Sequence, residues 1–236
     1  MWSGPRNIST AIMRSWENRG DTAVWDEPLY AFYLHRTGIE HPGAEEVIAA
    51  GDTDWRRVVA ALTGAVPGDK PIYFQKHMTH HLLDEIDRGW LAQVRNCFLI
   101  RNPREVIASY ARTRPAVTVS DVGVLQQVDI FEHARRATGE TPLVLDSRDV
   151  LEDPRGMLTA LCAALDVPFG EGMLSWSAGA RSSDGVWARY WYDAVNASTG
   201  FSPYVSKAHT LPARLESLAG ECEPHYLNLY EQRLRP

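Results

Sequence analysis

The chain is short of cysteine, with three in 236 residues: Cys97, Cys162 and Cys222. An odd number, widely spaced among apolar neighbours, supplies neither a disulfide framework nor a metal cluster. They read as core thiols of a reducing compartment. Basic charge is also short. Lys and Arg total 24 against 30 Asp and Glu, a net charge of −6 at pH 7, where a nucleic-acid binder would show a basic excess. A few arginines converging locally can still hold a small anion in an acidic protein. No run approaches the ~20 apolar residues of a membrane span. The opening Met1-Trp2-Ser3-Gly4-Pro5-Arg6 lacks the apolar stretch of a secretory signal. A cytoplasmic protein is expected, with no nucleic-acid and no membrane partner. Repeats, low-complexity tracts and linker-like shifts are missing too, which predicts a single domain over residues 1–236.

Strand and helix patterns alternate through the first two thirds, as they do in a parallel sheet with crossover helices. Ser9–Arg19 reads as a helix with Ile12, Met13 and Trp16 on one face. Thr22–Trp25 and Pro71–Gln75 read as strands, Asp54–Leu62 as a helix, and Leu82, Leu83 and Ile86 as the face of another. Asn96–Ile100 is the clearest buried strand, with Cys97, Phe98, Leu99 and Ile100 in an unbroken apolar run. A helix is expected to follow at once, with Asn102 as N-cap, Pro103 at its first position and Glu105 completing a capping-box-like arrangement. Pro142–Leu145 is a further strand, and Asp153-Pro154 opens a helix carrying Met157, Leu158, Leu161, Cys162 and Leu165 on one stripe. Residues 170–210, rich in Trp, Tyr, Ser and Gly, are expected to form an irregular lid or acceptor region. A helix pair is expected over Ala213–Leu218 and Pro224–Arg233.

Ser3-Gly4-Pro5-Arg6-Asn7-Ile8-Ser9-Thr10 leads directly into the first helix. A loop at a helix N-terminus aims free backbone N–H groups at one spot, and the helix dipole favours an anion there. Ser9 and Thr10 add hydroxyl donors and Arg6 a positive charge; the plainer reading is an N-cap beside a surface arginine. The segment lacks the Gly-Lys-Ser/Thr that grips a triphosphate, which weighs against a hydrolase or kinase. Only Met1 and Trp2 precede the loop, so the first strand is either very short or continued upstream.

Phe98-Leu99-Ile100-Arg101-Asn102-Pro103-Arg104-Glu105-Val106-Ile107-Ala108-Ser109-Tyr110 resembles the 3′-phosphate-binding segment of sulfotransferases that use 3′-phosphoadenylyl sulfate (PAPS). In that family an arginine ends a strand and a serine eight residues later also reaches the phosphate; here these are Arg101 and Ser109. An arginine at the carboxyl end of a central strand lies where open α/β sheets bind ligands, and its planar fork suits phosphate. The resemblance continues in Val144–Pro154, in Leu165–Phe169, and in Arg181-Ser182-Ser183-Asp184-Gly185-Val186-Trp187, which is similar to the late loop that closes over the nucleotide. It covers nearly the whole chain. It implies a P-loop-type, three-layer α/β/α fold with a central parallel sheet, and PAPS as sulfuryl donor with adenosine 3′,5′-bisphosphate (PAP) as product. The implied nucleotide contacts are Arg6, Asn7, Ile8, Ser9, Thr10, Arg101, Ser109, Arg181 and Gly185. Arg6 stands where many relatives carry lysine, and Asn7-Ile8 where Ser-Gly is common; Ile8 makes that turn less permissive than glycine would.

Sulfuryl transfer requires that the acceptor be aligned, its proton removed, and charge on the leaving phosphate stabilised. Asp26-Glu27-Pro28 resembles the acidic segment in which a glutamate takes the acceptor proton, giving Glu27 as general base with Asp26 as understudy. Gln75-Lys76-His77-Met78-Thr79-His80-His81 resembles the lysine-plus-histidine segment, with Lys76 facing the leaving group and His77 as the alternative base. His77 and His81 share a helical face and His80 does not, with no acidic ligand adjacent, so no metal is expected. Trp176, Trp187, Tyr190, Trp191, Tyr192 and Phe201 either wall an acceptor pocket or pack a satellite core. The expected reaction carries a sulfuryl group to a hydroxyl or amine of a small-molecule acceptor. A nucleotide-binding relative without turnover and a P-loop small-metabolite kinase remain as alternatives, and a homodimer is compatible with the family.

Overall fold

The computed structural model describes residues 1–112, 116–206 and 210–235. In chain order the elements are β1 (Trp2–Ser3), α1 (Ser9–Glu17), β2 (Thr22–Asp26), α2 (Tyr30–Thr37), α3 (Ala44–Ala50), α4 (Trp55–Leu62) and β3 (Ile72–Met78). There follow β4 (Cys97–Ile100), α5 (Pro103–Tyr110), α6 (Val119–Val122), α7 (Val124–Thr138), β5 (Leu143–Asp146), α8 (Ser147–Glu152) and α9 (Pro154–Ala164). The chain ends with α10 (Ala188–Trp191), α11 (Asp193–Asn196) and α12 (Ala213–Glu231). Two compact units form, one from Met1–Ser9, Arg95–Phe169 and Ser202–Pro236, the other from Thr10–Val94 and Gly170–Phe201.

In the first unit β4 pairs in parallel with β1 on one side and β5 on the other. Its four residues are wholly buried, which is why they read as an apolar run without alternation. Phe98 packs edge-on against Phe131 of α7 at 5.4 Å between ring centroids. Val106 and Ile107 of α5 and Met157, Leu158, Leu161 and Cys162 of α9 are buried in the same unit. In the second unit β2 and β3 pair in parallel over five residues, Thr22 opposite Ile72 through Asp26 opposite Lys76. Trp16 of α1 stacks on Phe74 of β3 at 5.5 Å. Among the described residues the strand pairs β1–β4, β4–β5 and β2–β3 are all parallel and the strands are flanked by helices, so the α/β class is as the alternation of patterns predicted.

Several local expectations are corrected. The stretch through Leu82 and Ile86 is no helix: a 3-10 turn over Thr79–His81 gives way to successive turns. Leu82 and Ile86 are nonetheless both buried, which produced the helical spacing. The expected final helix pair is one helix, α12, with Pro224 inside it. Proline removes a hydrogen bond and crowds the preceding turn, a cost of roughly 3 kcal/mol. Burial of Leu218, Ala219 and Cys222 before it and of Tyr226 and Leu229 after it holds the helix through the break. Glu105 forms no capping box; Asn102 alone caps α5, accepting from the Arg104 N–H. Residues 170–201 are less irregular than expected, since α10 and α11 lie within them and Ser175 bridges Gly200.

Candidate active site

The first unit gathers arginines at the end of β4. Arg101 follows Ile100 directly, and its Nη1 donates to the Arg6 carbonyl oxygen at 2.9 Å. Its Nε and Nη2 both reach Glu105 Oε2, at 2.9 and 2.8 Å. A guanidinium carries five N–H donors, so among the described residues two of Arg101 remain for a ligand. Arg6 Nε donates to Ser109 Oγ at 3.0 Å, and Arg112 Nη2 lies 3.5 Å from the same oxygen. Burial, and then the positive charges of Arg112 and Arg101, push the Arg6 guanidinium below its ordinary range. Glu105 is already occupied on its other oxygen, which accepts from Tyr204 OH at 2.6 Å. Three guanidinium groups thus stand close enough to act on one another, with the carboxylate of Glu105 paired to Arg101 among them. Like charges this close repel unless a counter-charge joins them, so the group suits a multiply charged anion.

The loop before α1 is held in an unusual shape. Arg6 and Ile8 both take left-handed backbone, at φ 61° and 56°. For a β-branched residue that is an outlier, costing on the order of 1–2 kcal/mol. Asn7 anchors the turn by donating from Nδ2 to the Leu99 carbonyl at 3.0 Å, where Gln127 Nε2 also donates at 2.9 Å. Gly4 is required by closeness, since a Cβ there would stand 2.5 Å from the Val122 carbonyl oxygen. Of the residues expected at the nucleotide, Arg6, Arg101 and Ser109 are brought together. Asn7 serves the loop itself, and Ser9 and Thr10 open α1 behind it. Arg112 escaped sequence reading; its position three residues after Ser109 was the available signal.

The second unit builds a group of opposite character. The β2–β3 register sets Asp26 beside Lys76. Lys76 therefore lies inside β3, and the strand runs past it to Met78 instead of ending at Gln75. Its Nζ donates to Asp26 Oδ1 at 2.8 Å, to Glu27 Oε1 at 2.5 Å and to Tyr192 OH at 2.9 Å. Tyr192 OH in turn donates to Asp26 Oδ2 at 2.6 Å. Glu27 is aimed inward by left-handed backbone at φ 43°, its N–H bonded to the Lys76 carbonyl at 2.9 Å. Burial opposes the Lys76 charge, but the Asp26 and Glu27 carboxylates outweigh it and hold the ammonium well above its ordinary pKa. Burial raises Glu27, with Lys76 opposing and Asp26 adding to the rise.

His77 follows Lys76 in the strand, so its side chain takes the opposite face. It lies with Gln75 Oε1 at 3.4 Å and with the Trp90 ring, apart from the Lys76 group. His81 is the histidine brought to Glu27: it stacks between Tyr30 and Tyr33, with Nδ1 3.9 Å from Glu27 Oε2. Burial holds both His77 and His81 well below the usual histidine range. Arg181 lies 3.7 Å from Glu17, in a buried knot where Arg14 Nη1 meets Asp184 Oδ1 at 2.6 Å. Gly185 approaches Asp26 Oδ2 with its N–H at 3.5 Å, and a Cβ there would strike Trp187. Tyr192 was read only as a candidate wall; nothing in the sequence ties it to Lys76, 116 positions earlier. Among the described residues no group of three His, Cys, Asp or Glu is placed to hold a metal, and no helix is long and apolar enough to cross a membrane.

Two Arabidopsis thaliana proteins are similar along almost the whole chain. Branched-chain-amino-acid aminotransferase-like protein 2 is 33% identical over 225 residues, and protein 1 is 34% identical over 226. Each alignment takes in 95% of this chain and 40% of the relative, so the chain spans about two fifths of their length. Among solved structures, the sulfotransferase domain from the curacin biosynthetic pathway aligns over 94% of this chain and 95% of its own, at 15% identity and TM-score 0.45. The sulfotransferase domain of the Synechococcus PCC 7002 olefin synthase aligns over 93% and 92%, at 17% identity and TM-score 0.43. The family described as "Sulfotransferase domain" matches residues 1–216, and the chain belongs to that family.

Proposed function

We propose that this sulfotransferase-family chain moves a sulfuryl group from PAPS to a hydroxyl or amine of a small-molecule acceptor. The observation that carries the reading is that Arg6 and Arg112 meet on Ser109 while Arg101 bonds the Arg6 carbonyl oxygen, with two Arg101 donors uncommitted among the described residues. Arg101 and Ser109 would bind the 3′-phosphate of the donor, with Arg6 neutralising charge beside them. In the second unit Glu27 would accept the acceptor's proton, and Lys76 would face the oxygen that leaves with the phosphate. Asp26, the understudy, has both oxygens engaged by Lys76 and Tyr192, so it is the poorer base. His81 lies nearer Glu27 than His77 does and would orient it.

Calorimetry on the purified chain with PAP, and separately with ATP and Mg²⁺, tests the donor. Tight PAP binding and weak, metal-insensitive ATP binding are expected; the reverse preference would point to the small-metabolite kinase. Transfer from labelled PAPS to a panel of alcohols, phenols and amines then separates an enzyme from a binding module without turnover.

A further inference from the structure

An ammonium has three N–H bonds, and all three of Lys76 are taken, by Asp26, Glu27 and Tyr192. To meet charge developing on a leaving oxygen, Lys76 must give one of them up. The three partners are not equivalent. Asp26 and Tyr192 brace each other through the 2.6 Å hydrogen bond from the Tyr192 hydroxyl to Asp26 Oδ2, and the Asp26 side chain is 1% exposed. The Trp187 indole N–H adds a 3.4 Å contact to the Tyr192 oxygen. Glu27 is the most exposed of the carboxylates, at 11%, and stands on left-handed backbone. Only His81, at 3.9 Å, approaches its second oxygen among the described residues.

We propose that Asp26 and Tyr192 are positioning residues, a fixed clamp that holds the Lys76 ammonium, while Glu27 is the partner that Lys76 exchanges for the leaving group. The inference rests on the transferase reading above and adds to it how base and leaving-group contact are linked. Glu27 takes the proton of the acceptor O–H or N–H as the acceptor's bond to sulfur forms. The bond from sulfur to the phosphate oxygen breaks with its electron pair on that oxygen. Glu27, now neutral, is a weaker acceptor, and the N–H it held turns to the oxygen carrying the new charge. A charge-assisted hydrogen bond is about twice as strong as a neutral one, which drives the exchange forward. Burial, and then the neighbouring Asp26 charge, raise Glu27 against the pull of Lys76, which favours its taking the proton.

The clamp can be read without an acceptor. In ¹H–¹⁵N spectra of the full chain, exchange of the Lys76 ammonium protons with water is expected to stay within threefold of the parent in Glu27→Gln. It is expected to quicken at least tenfold in Tyr192→Phe and in Asp26→Asn. Fast exchange in Glu27→Gln with slow exchange in Tyr192→Phe would make Glu27 the anchor and overturn the proposal. Should Asp26→Asn fail to fold, Tyr192→Phe carries the test alone, since it removes one hydroxyl and keeps the ring. With PAPS and an acceptor from the panel, Tyr192→Phe is expected to lower kcat at least tenfold while KM for PAPS stays within threefold. An unchanged kcat sinks the positioning role. Failure of the parent chain to bind PAP or to transfer at all sinks the transferase reading instead, and the exchange measurements tell the two apart.

Discussion

Glu27 and Lys76 meet at 2.5 Å although 49 residues separate them in sequence. The parallel register of β2 and β3 ends with Asp26 opposite Lys76, so the residue just past β2 is the first that can turn back over the lysine. Glu27 does so by adopting φ 43°. A backbone conformation that disfavours a non-glycine residue is thus used to hold a carboxylate against a buried ammonium, an association of strain with chemistry that active sites commonly show.

Replacing Glu27 by Gln removes the proposed base and keeps the shape. Transfer is expected to fall by roughly 10²- to 10⁴-fold, the usual worth of a general base, with PAP affinity within a few-fold of the parent. In the parent, burial, and then the Asp26 charge working against Lys76, raise Glu27, so activity should be lost on acidification above the ordinary carboxylate range. Asp26→Asn withdraws one cause of the rise and should carry that acid limb to lower pH. An acid limb unmoved in Asp26→Asn, or parental turnover in Glu27→Gln, would remove Glu27 from the role.

Arg101→Ala is expected to weaken PAP binding by at least 10- to 100-fold, since each hydrogen bond to a charged group contributes about 1.5–3 kcal/mol. The loss is compounded because Glu105 would be left without its arginine. Arg101→Lys should not restore affinity, because a point charge cannot reach Glu105, the Arg6 carbonyl and a phosphate together. Calorimetry with PAP measures both; parental affinity in Arg101→Ala would place the nucleotide elsewhere.

Much of this was legible in the sequence, and the failures have physical causes. The resemblance names Arg101 and Ser109 together, their spacing is fixed locally by a strand and the helix after it, and Arg6 contacts both. The Glu27–Lys76 pair was found only as two separate segments, since strand register is a long-range property. Tyr192 lies between two four-residue helices, α10 and α11, each too short to show periodicity, so its hydroxyl carried no local signal. The resemblance to the lysine-plus-histidine segment points to His77, next to Lys76, and not to His81; with Lys76 and His77 both inside β3, alternation sends them to opposite faces. α7 shows no clear pattern in the sequence, although Val124, Gln127, Ile130, Phe131 and Ala134 are buried at helical spacing. A glutamine within that stripe, used to bond the Leu99 carbonyl, interrupts the apolar pattern.

Ile8→Gly tests the strain of the first loop. Glycine enters left-handed backbone without the Cβ penalty, worth roughly 1–2 kcal/mol, and loses the partial burial of the isoleucine side chain. The two effects oppose, so denaturant unfolding should show a change of no more than about 1 kcal/mol, far less than a core Ile truncation costs. A destabilisation of several kcal/mol would mean that the side chain, and not the backbone, holds the turn.

Asp184→Ala should be among the most damaging single changes. Arg14 is fully buried, and Asp184 grips it twice, at 2.6 and 2.7 Å, with Asn196 Oδ1 at 3.2 Å and Glu17 at 3.7 Å. Breaking a buried pair from one side leaves an uncompensated charge and costs about 3–5 kcal/mol. The denaturation midpoint should fall accordingly, and the added variant Arg14→Met should recover part of the loss. A double variant no more stable than Asp184→Ala would show that the charge was not what the aspartate answered.

Asp146 makes stability depend on pH in a direction opposite to that of most carboxylates. It ends β5, caps α8 by accepting from the Arg148 N–H at 2.8 Å, and accepts from Tyr226 OH at 2.8 Å. Burial raises its pKa to about 6 against those hydrogen bonds. The folded chain therefore binds this proton more tightly than the unfolded chain, whose aspartate titrates near 3.9. Its contribution is fully present below the unfolded value and is lost as pH rises to about 6, a difference on the order of 3 kcal/mol. Asp146→Asn keeps an acceptor for the cap and for Tyr226 while abolishing the titration. Unfolding midpoints measured from pH 4 to 8 should then decline less across pH 4–6 in the variant, which should be the more stable of the two at pH 7. If the variant follows the parent curve throughout, Asp146 is charged in the fold across that range and its burial exerts no such effect.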